Sequence, residues 1–180
     1  MKRTKNKKEI IIKLYEDSLN DIIWTHKIQA TLLDKLNSDY RKYKIIKEFI
    51  IGISGFVSVV FLYFEKYTGA LITNAVSTIS IIIDNIFKFN NYEDRIKTIQ
   101  SNVNELWYMK KELMYYKEYL KNDILEWQES RTKLEEILKQ RKEVYSRLES
   151  VSLKIVNDAS NKLLNRNDEE INKEFFEESE

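Results

Sequence analysis

Polar and apolar positions divide the chain into three stretches with different rhythms. From Glu9 to Lys47 apolar residues recur at helical spacing: Ile11, Leu14, Tyr15, Leu19, Ile22, Ile23, then Ile28, Leu32, Leu33 and Leu36. That spacing predicts amphipathic helix with a wide apolar stripe, with a break near Asn37-Ser38-Asp39 and Asp39 as the cap of a second helix. From Ile45 to about Phe89 charges almost vanish. Phe49–Phe64 runs 16 residues without a charge, and so does Thr68–Ile83, separated only by Glu65-Lys66-Tyr67. So short a connection predicts two antiparallel helices. From Tyr92 to Leu164 the helical rhythm returns. Leu120, Ile124, Trp127, Arg131, Leu134, Leu138, Arg141, Tyr145, Leu148, Ser152 and Ile155 form a stripe with the 3.5-residue repeat of a coiled coil. A turn is expected near Lys121-Asn122-Asp123, because one straight helix of that length would project far from anything it could pack on.

The expected fold is all-α: a two-helix transmembrane hairpin with long helical cytosolic flanks that form a bundle or a coiled coil. Residues 1–8 read as a basic tail, 9–44 as cytosolic helices, 45–89 as the hairpin (spans about 47–66 and 68–88), 90–164 as a cytosolic helical region and 165–180 as an acidic, disordered tail. Each arm is slightly short of the roughly 20 apolar residues that a bilayer core requires, and Lys47 at the edge can snorkel to the headgroups. The alternative is a helical hairpin buried as the core of a soluble bundle. Lys35, Arg41, Lys42, Lys44 and Lys47 precede the first arm, and Lys88, Arg95 and Lys97 follow the second, while the turn offers only Lys66. This bias places both termini in the cytoplasm, with the turn outside.

Composition narrows the chemistry. The chain has 180 residues, no proline, no cysteine and three glycines, Gly52, Gly55 and Gly69, all inside the hairpin. Long helices follow from the missing breakers, and without cysteine there is no disulfide framework, thiolate metal site or cysteine nucleophile. The net charge of +1 gives no bulk attraction to nucleic acid. Charge is concentrated at the ends. Lys2, Arg3, Lys5, Lys7, Lys8 and Lys13 oppose Glu9, whereas Asp168–Glu180 sets seven acids against Lys173. The basic end suits anionic lipid, and no cleavable leader is expected there. His26 is the single histidine, and no phosphate-loop, metalloprotease or nucleophile-elbow pattern occurs. We expect neither catalysis nor a cofactor or metal.

The second arm carries the clearest functional pattern. Thr73, Ser77, Ser80 and Asp84 follow a 4, 3, 4 spacing, and Asn74, Thr78 and Asn85 lie one residue round. Together they make one polar face on an apolar helix. Asn74 and Asp84 are costly in a span unless paired or wet, so these seven are candidate pore-lining residues, with Asp84 near the cytoplasmic mouth favouring cations. Dry packing between helices is the plainer use of the same serines and threonines. In the first arm Gly52, Ser54, Gly55 and Ser58 are candidate helix-packing residues, suited to close approach between copies or between the two arms.

Trp24-Thr25-His26-Lys27-Ile28-Gln29 stands about twenty residues before the hairpin. That segment, two spans with a minimal turn, and a helical region beyond them resemble the SLATT family of bacterial two-transmembrane effectors, over roughly Asp21 to Leu164. The resemblance implies a membrane effector of anti-phage defence that oligomerises and perforates the inner membrane when triggered. It implies as partners further copies of the chain, membrane lipid and a nucleotide-signalling or sensor protein encoded nearby, and no nucleic acid. Many family members carry a basic residue near the histidine position, as Lys27 does here. Trp24, His26 and Lys27 are candidates for sensing at the membrane edge, or simply helix-packing positions below it. A non-conducting membrane-anchored scaffold that recruits a partner is the competing function.

Overall fold

The computed structural model describes residues 2–63, 75–85 and 91–164. Among these residues the secondary structure is entirely helical, as five α-helices: α1 (Lys2–Tyr63), α2 (residues 75–85), α3 (Tyr92–Lys121), α4 (Trp127–Ser146) and α5 (Leu153–Leu164). The acidic tail and the tip of the hairpin lie outside the described residues. α1 runs without interruption through Asn37-Ser38-Asp39, so the expected break and the Asp39 cap are absent. Asn, Ser and Asp each cost only a fraction of a kcal/mol inside a helix, about 0.5 relative to Ala, and neither proline nor glycine stands nearby to stop it.

The chain divides into two compact units. One comprises Met1–Leu33 with the chain from Ile99 onward, and the other Asp34–Thr98. In the first, the buried positions of α1 are Ile11, Tyr15, Leu19 and Ile22, those of α3 include Leu106, Met109, Leu113 and Leu120, and those of α4 are Ser130, Leu134, Ile137 and Val144. Each set follows steps of three, four or seven, which keeps it on one helical face. Contacts rise together along α1 and α4: Lys8 with Asp123, Tyr15 with Ser130, Asp21 with Arg141 and Thr25 with Tyr145. These two helices therefore run parallel, and α3 runs antiparallel to α4, since Arg147 just past the end of α4 pairs at 2.6 Å with Glu105, midway back along α3. The helical hairpin of α3 and α4 folds back onto the upstream helix, as the length argument requires.

The turn between α3 and α4 falls where the sequence places it. Asp123 has φ 56°, the amide of Ile124 donates to the Tyr119 carbonyl at 2.9 Å, and that of Asp123 donates to the Leu120 carbonyl at 3.3 Å. This is the Schellman termination, with aspartate at the left-handed position that glycine usually fills. The coiled-coil stripe is less well placed. Ser130, Ile137 and Val144 are buried where the repeat names Arg131, Leu138 and Tyr145. The neighbouring Leu138, Tyr145 and Leu148 are partly buried against the same core, so the true face is rotated by one residue.

Two polar features interrupt this core. Tyr15 is fully buried; its hydroxyl donates to the Ser130 carbonyl at 2.7 Å and accepts from the Ser130 hydroxyl at 3.3 Å. Burial pushes the Tyr15 phenol above its ordinary value, opposed by the hydrogen bond with Ser130. Near the end of the bundle Gln29, Thr31 and Asn102 are buried. The Gln29 Oε1, the Thr31 Oγ1 and both polar side-chain atoms of Asn102 have no hydrogen-bond partner among the described residues.

Replacing Tyr15 by Phe leaves the buried Ser130 carbonyl without that donor and should lower stability by about 1–2 kcal/mol in chemical denaturation. Because the folded phenol titrates higher than the unfolded one, its contribution is complete below pH about 10 and is lost as pH rises through the folded value, so the gap between wild type and Tyr15→Phe should shrink in alkali. Asn102→Leu removes two unsatisfied buried groups at similar volume and should raise stability by about 1–2 kcal/mol in the same assay.

Candidate functional site

The unit from Asp34 to Thr98 contains the second half of α1, α2 and the start of α3. Its chain reversal is visible in its contacts. Tyr43 and Lys47 of α1 meet Asp84 of α2, and Tyr40 of α1 meets Glu93 of α3. Partners move backward along α1 as the later chain moves forward, which is the signature of an antiparallel hairpin.

Asp84 is the centre of this cluster. The Tyr43 hydroxyl donates to its carboxylate, and Lys47 Nζ lies 2.9 Å from Oδ2 and 2.8 Å from Oδ1. The Lys47 and Asp84 side chains are 35% and 28% exposed, so the pair is partly desolvated and less screened than an open surface pair. Tyr40, Tyr43 and Lys47 are spaced three and four apart, hence on one face of α1. The Tyr40 and Tyr43 rings approach to 6.2 Å, and Lys44 sits 4.9 Å over the Tyr40 ring. The Tyr43 phenol is pushed above its ordinary value, first by desolvation and then by the Asp84 carboxylate, while Tyr40 is raised chiefly by its bond to Glu93. Around these groups lies a cleft of about 610 Å³, also lined by Glu48, Ile51, Asn91 and Asp94. Asn91 has φ 44°, and its carbonyl accepts the Arg95 amide at 3.0 Å, opening α3.

Of the expected pore-lining residues, Thr73 and Asn74 lie outside the described residues. Ser77, Thr78 and Asn85 are exposed on α2, whereas Ser80 and Asp84 are half-buried. Gly52 and Gly55 are exposed on α1, and a Cβ built on either would meet nothing within 4 Å. The side chains of Ser54 and Ser58 lie outside the description. Large apolar side chains stand uncovered around the same helices, among them Phe49, Phe56 and Val59 on α1 and Ile81 on α2, each more than 60% exposed.

Among the described residues no helix is long and apolar enough to cross a membrane. From Phe49 to the end of α1 at Tyr63 the charge-free stretch rises about 22 Å, and the described part of the second arm about 16 Å, against roughly 30 Å for a bilayer core.

Trp24, His26 and Lys27 belong to the other unit. Trp24 is 37% exposed, and His26 and Lys27 are half-buried. Their neighbour Thr25 pairs with the Tyr145 hydroxyl at 2.8 Å, next to the Arg141–Asp21 ion pair at 3.2 Å. This segment therefore packs along α4. Among the described residues no group of three His, Cys, Asp or Glu side chains is arranged to hold a metal ion. The residues that sequence reasoning missed are Tyr40, Tyr43 and Glu93. The 40, 43, 47 spacing just ahead of the apolar arm marks the two tyrosines as one face with Lys47, but nothing in it points to Glu93 or Asp84.

Residues 12–178 match the family model described as SMODS and SLOG-associating 2TM effector domain family 4. The chain belongs to this family. Comparison with curated proteins and with solved structures found no match. Membership in a two-transmembrane effector family associated with anti-phage systems links the chain to a membrane. It confirms the SLATT resemblance carried by the hairpin and its helical flanks.

Proposed function

We propose that this chain is a membrane effector of bacterial anti-phage defence, which oligomerises through its hairpin into a pore and disrupts the inner membrane when triggered. The hairpin crosses the bilayer twice with both termini in the cytoplasm. Ser77, Thr78 and their neighbours on α2 line the lumen, and the flanking helical bundle faces the cytoplasm, where a nucleotide-signalling or sensor protein encoded nearby engages it. The observation that carries this reading is the pair of surfaces the hairpin leaves uncovered within one chain: the open Gly52–Gly55 face of α1 and the exposed Ser77, Thr78 and Asn85 of α2. Two helices enclose no water, but several copies around an axis do, and small residues let the outer helices approach closely.

A non-conducting scaffold is the second reading. It is favoured by an uncovered aromatic ridge on α3, where Lys111 sits 3.8 Å over the Trp107 ring, Tyr108 packs edge-on to Trp107 at 5.1 Å, and Tyr115 contacts Tyr119 at 4.2 Å. On α4 the apolar seam residues Trp127, Leu134, Leu138 and Tyr145 pack wholly or partly into the chain's own core.

Expression in bacterial cells with a voltage-sensitive dye separates the two readings. The pore predicts depolarisation that Ser77→Leu and Thr78→Leu abolish at unchanged protein levels. The scaffold predicts no depolarisation and indifference to both substitutions.

A further inference from the structure

We propose that Asp84, Tyr43 and Lys47 form the latch that holds this pore closed; the proposal rests on the pore reading above and names its regulation. Spacing alone puts Asp84 on the polar face of α2 with Ser80 and Ser77, four and seven residues back. In the folded chain, however, both carboxylate oxygens are taken by α1. Lys47 reaches each of them at 2.8–2.9 Å and the Tyr43 hydroxyl adds a second donor. A carboxylate bonded to its own first arm cannot also face a lumen shared with other copies. Because residues advance about 100° each around a helix, fixing Asp84 fixes the rotation of α2 about its axis. The described arrangement is the result: Asp84 and Ser80 half-buried, with Thr78, Ile81 and Asn85 outward.

A second bolt lies just beyond. Tyr40, on the same face of α1 as Tyr43 and Lys47, donates to Glu93 at the start of α3. One stripe of α1 thus grips the exit of the second arm twice, each time through a tyrosine hydroxyl on a carboxylate. Both bolts border the open cleft around Glu48 and Asp94, so water can reach them. Partial exposure keeps such a contact weak enough to be released by a trigger, which a fully buried ion pair would not be.

The test uses the full chain in cells, with dye-reported membrane potential and immunoblotted protein levels. Lys47→Met and Tyr43→Phe should each raise the depolarised fraction about tenfold without any trigger, the size of an ordinary coupling between two states. The exchange Lys47→Asp with Asp84→Lys should return it to the wild-type value. Since the chain has no cysteine, Lys47→Cys with Asp84→Cys supplies an independent control. It should leak until a short bis-maleimide joins the two thiols, then fall quiet. The latch is overturned if the exchanged pair leaks as much as the single variants, if joining the thiols changes nothing, or if the single variants only lose protein while the dye stays unchanged. A wild type that conducts in a Ser77-dependent way, beside a Lys47→Met no leakier than it, sinks the latch alone. Silence of every chain under every condition sinks the pore and the latch with it.

Discussion

A chain without proline, whose three glycines all fall within residues 45–89, has to reverse its helices by other means. Among the described residues two acid-amide residues take left-handed conformation: Asp123 reverses the chain between α3 and α4, and Asn91 opens α3, which keeps the direction of α2. Asparagine and aspartate tolerate that region better than other side chains, at a cost of roughly 1 kcal/mol. Each is also tied in. Asp123 is bonded by Lys8, and the Asn91 carbonyl accepts the Arg95 amide in the first turn of α3. Where no such residue stands, the helix simply continues, as α1 does for 62 residues. Asn91 brings Glu93 to Tyr40, and Asp123 sends α4 back along α1.

The two units are stabilised by different physics. In the first, aliphatic side chains on three helices close over Tyr15, and burial of apolar surface is the dominant favourable term. Its polar exceptions differ in kind. The Tyr15–Ser130 pair is satisfied and fixes the register of α4 on α1, whereas Asn102 is fully buried with no partner for its carboxamide among the described residues. In the second unit the hydrogen bonds and ion pair between the arms gather at one end, while isoleucines, valines and phenylalanines stand exposed along the helices. So much uncovered apolar surface marks an interaction face.

How much of this was legible in the sequence depended on range. Helicity followed from the missing breakers, and the α3–α4 turn from Asn122-Asp123, because both are local. The apolar hairpin was visible as a charge gap, and with the segment around Trp24 and the helical flanks it pointed to the family. The core face of α4 was misplaced by one residue, because a single repeat was drawn from Leu120 to Ile155 across the turns at 122–126 and 147–152, where helical phase is lost. The break near Asn37 was overestimated, since weak helix formers do not end a helix without a competing cap. The clamp on Asp84 was beyond reach: its donors lie 37 and 41 residues away, and no periodicity connects them.

The central claim is that the hairpin completes its surroundings only in an assembly within the membrane. The most direct measurement is the mass of the full chain extracted from bacterial membranes in detergent, with the detergent contribution removed. The account predicts a defined multiple of 21.7 kDa, recovered from the membrane fraction. A monodisperse particle of one chain mass, purified from the soluble fraction without detergent, would contradict it.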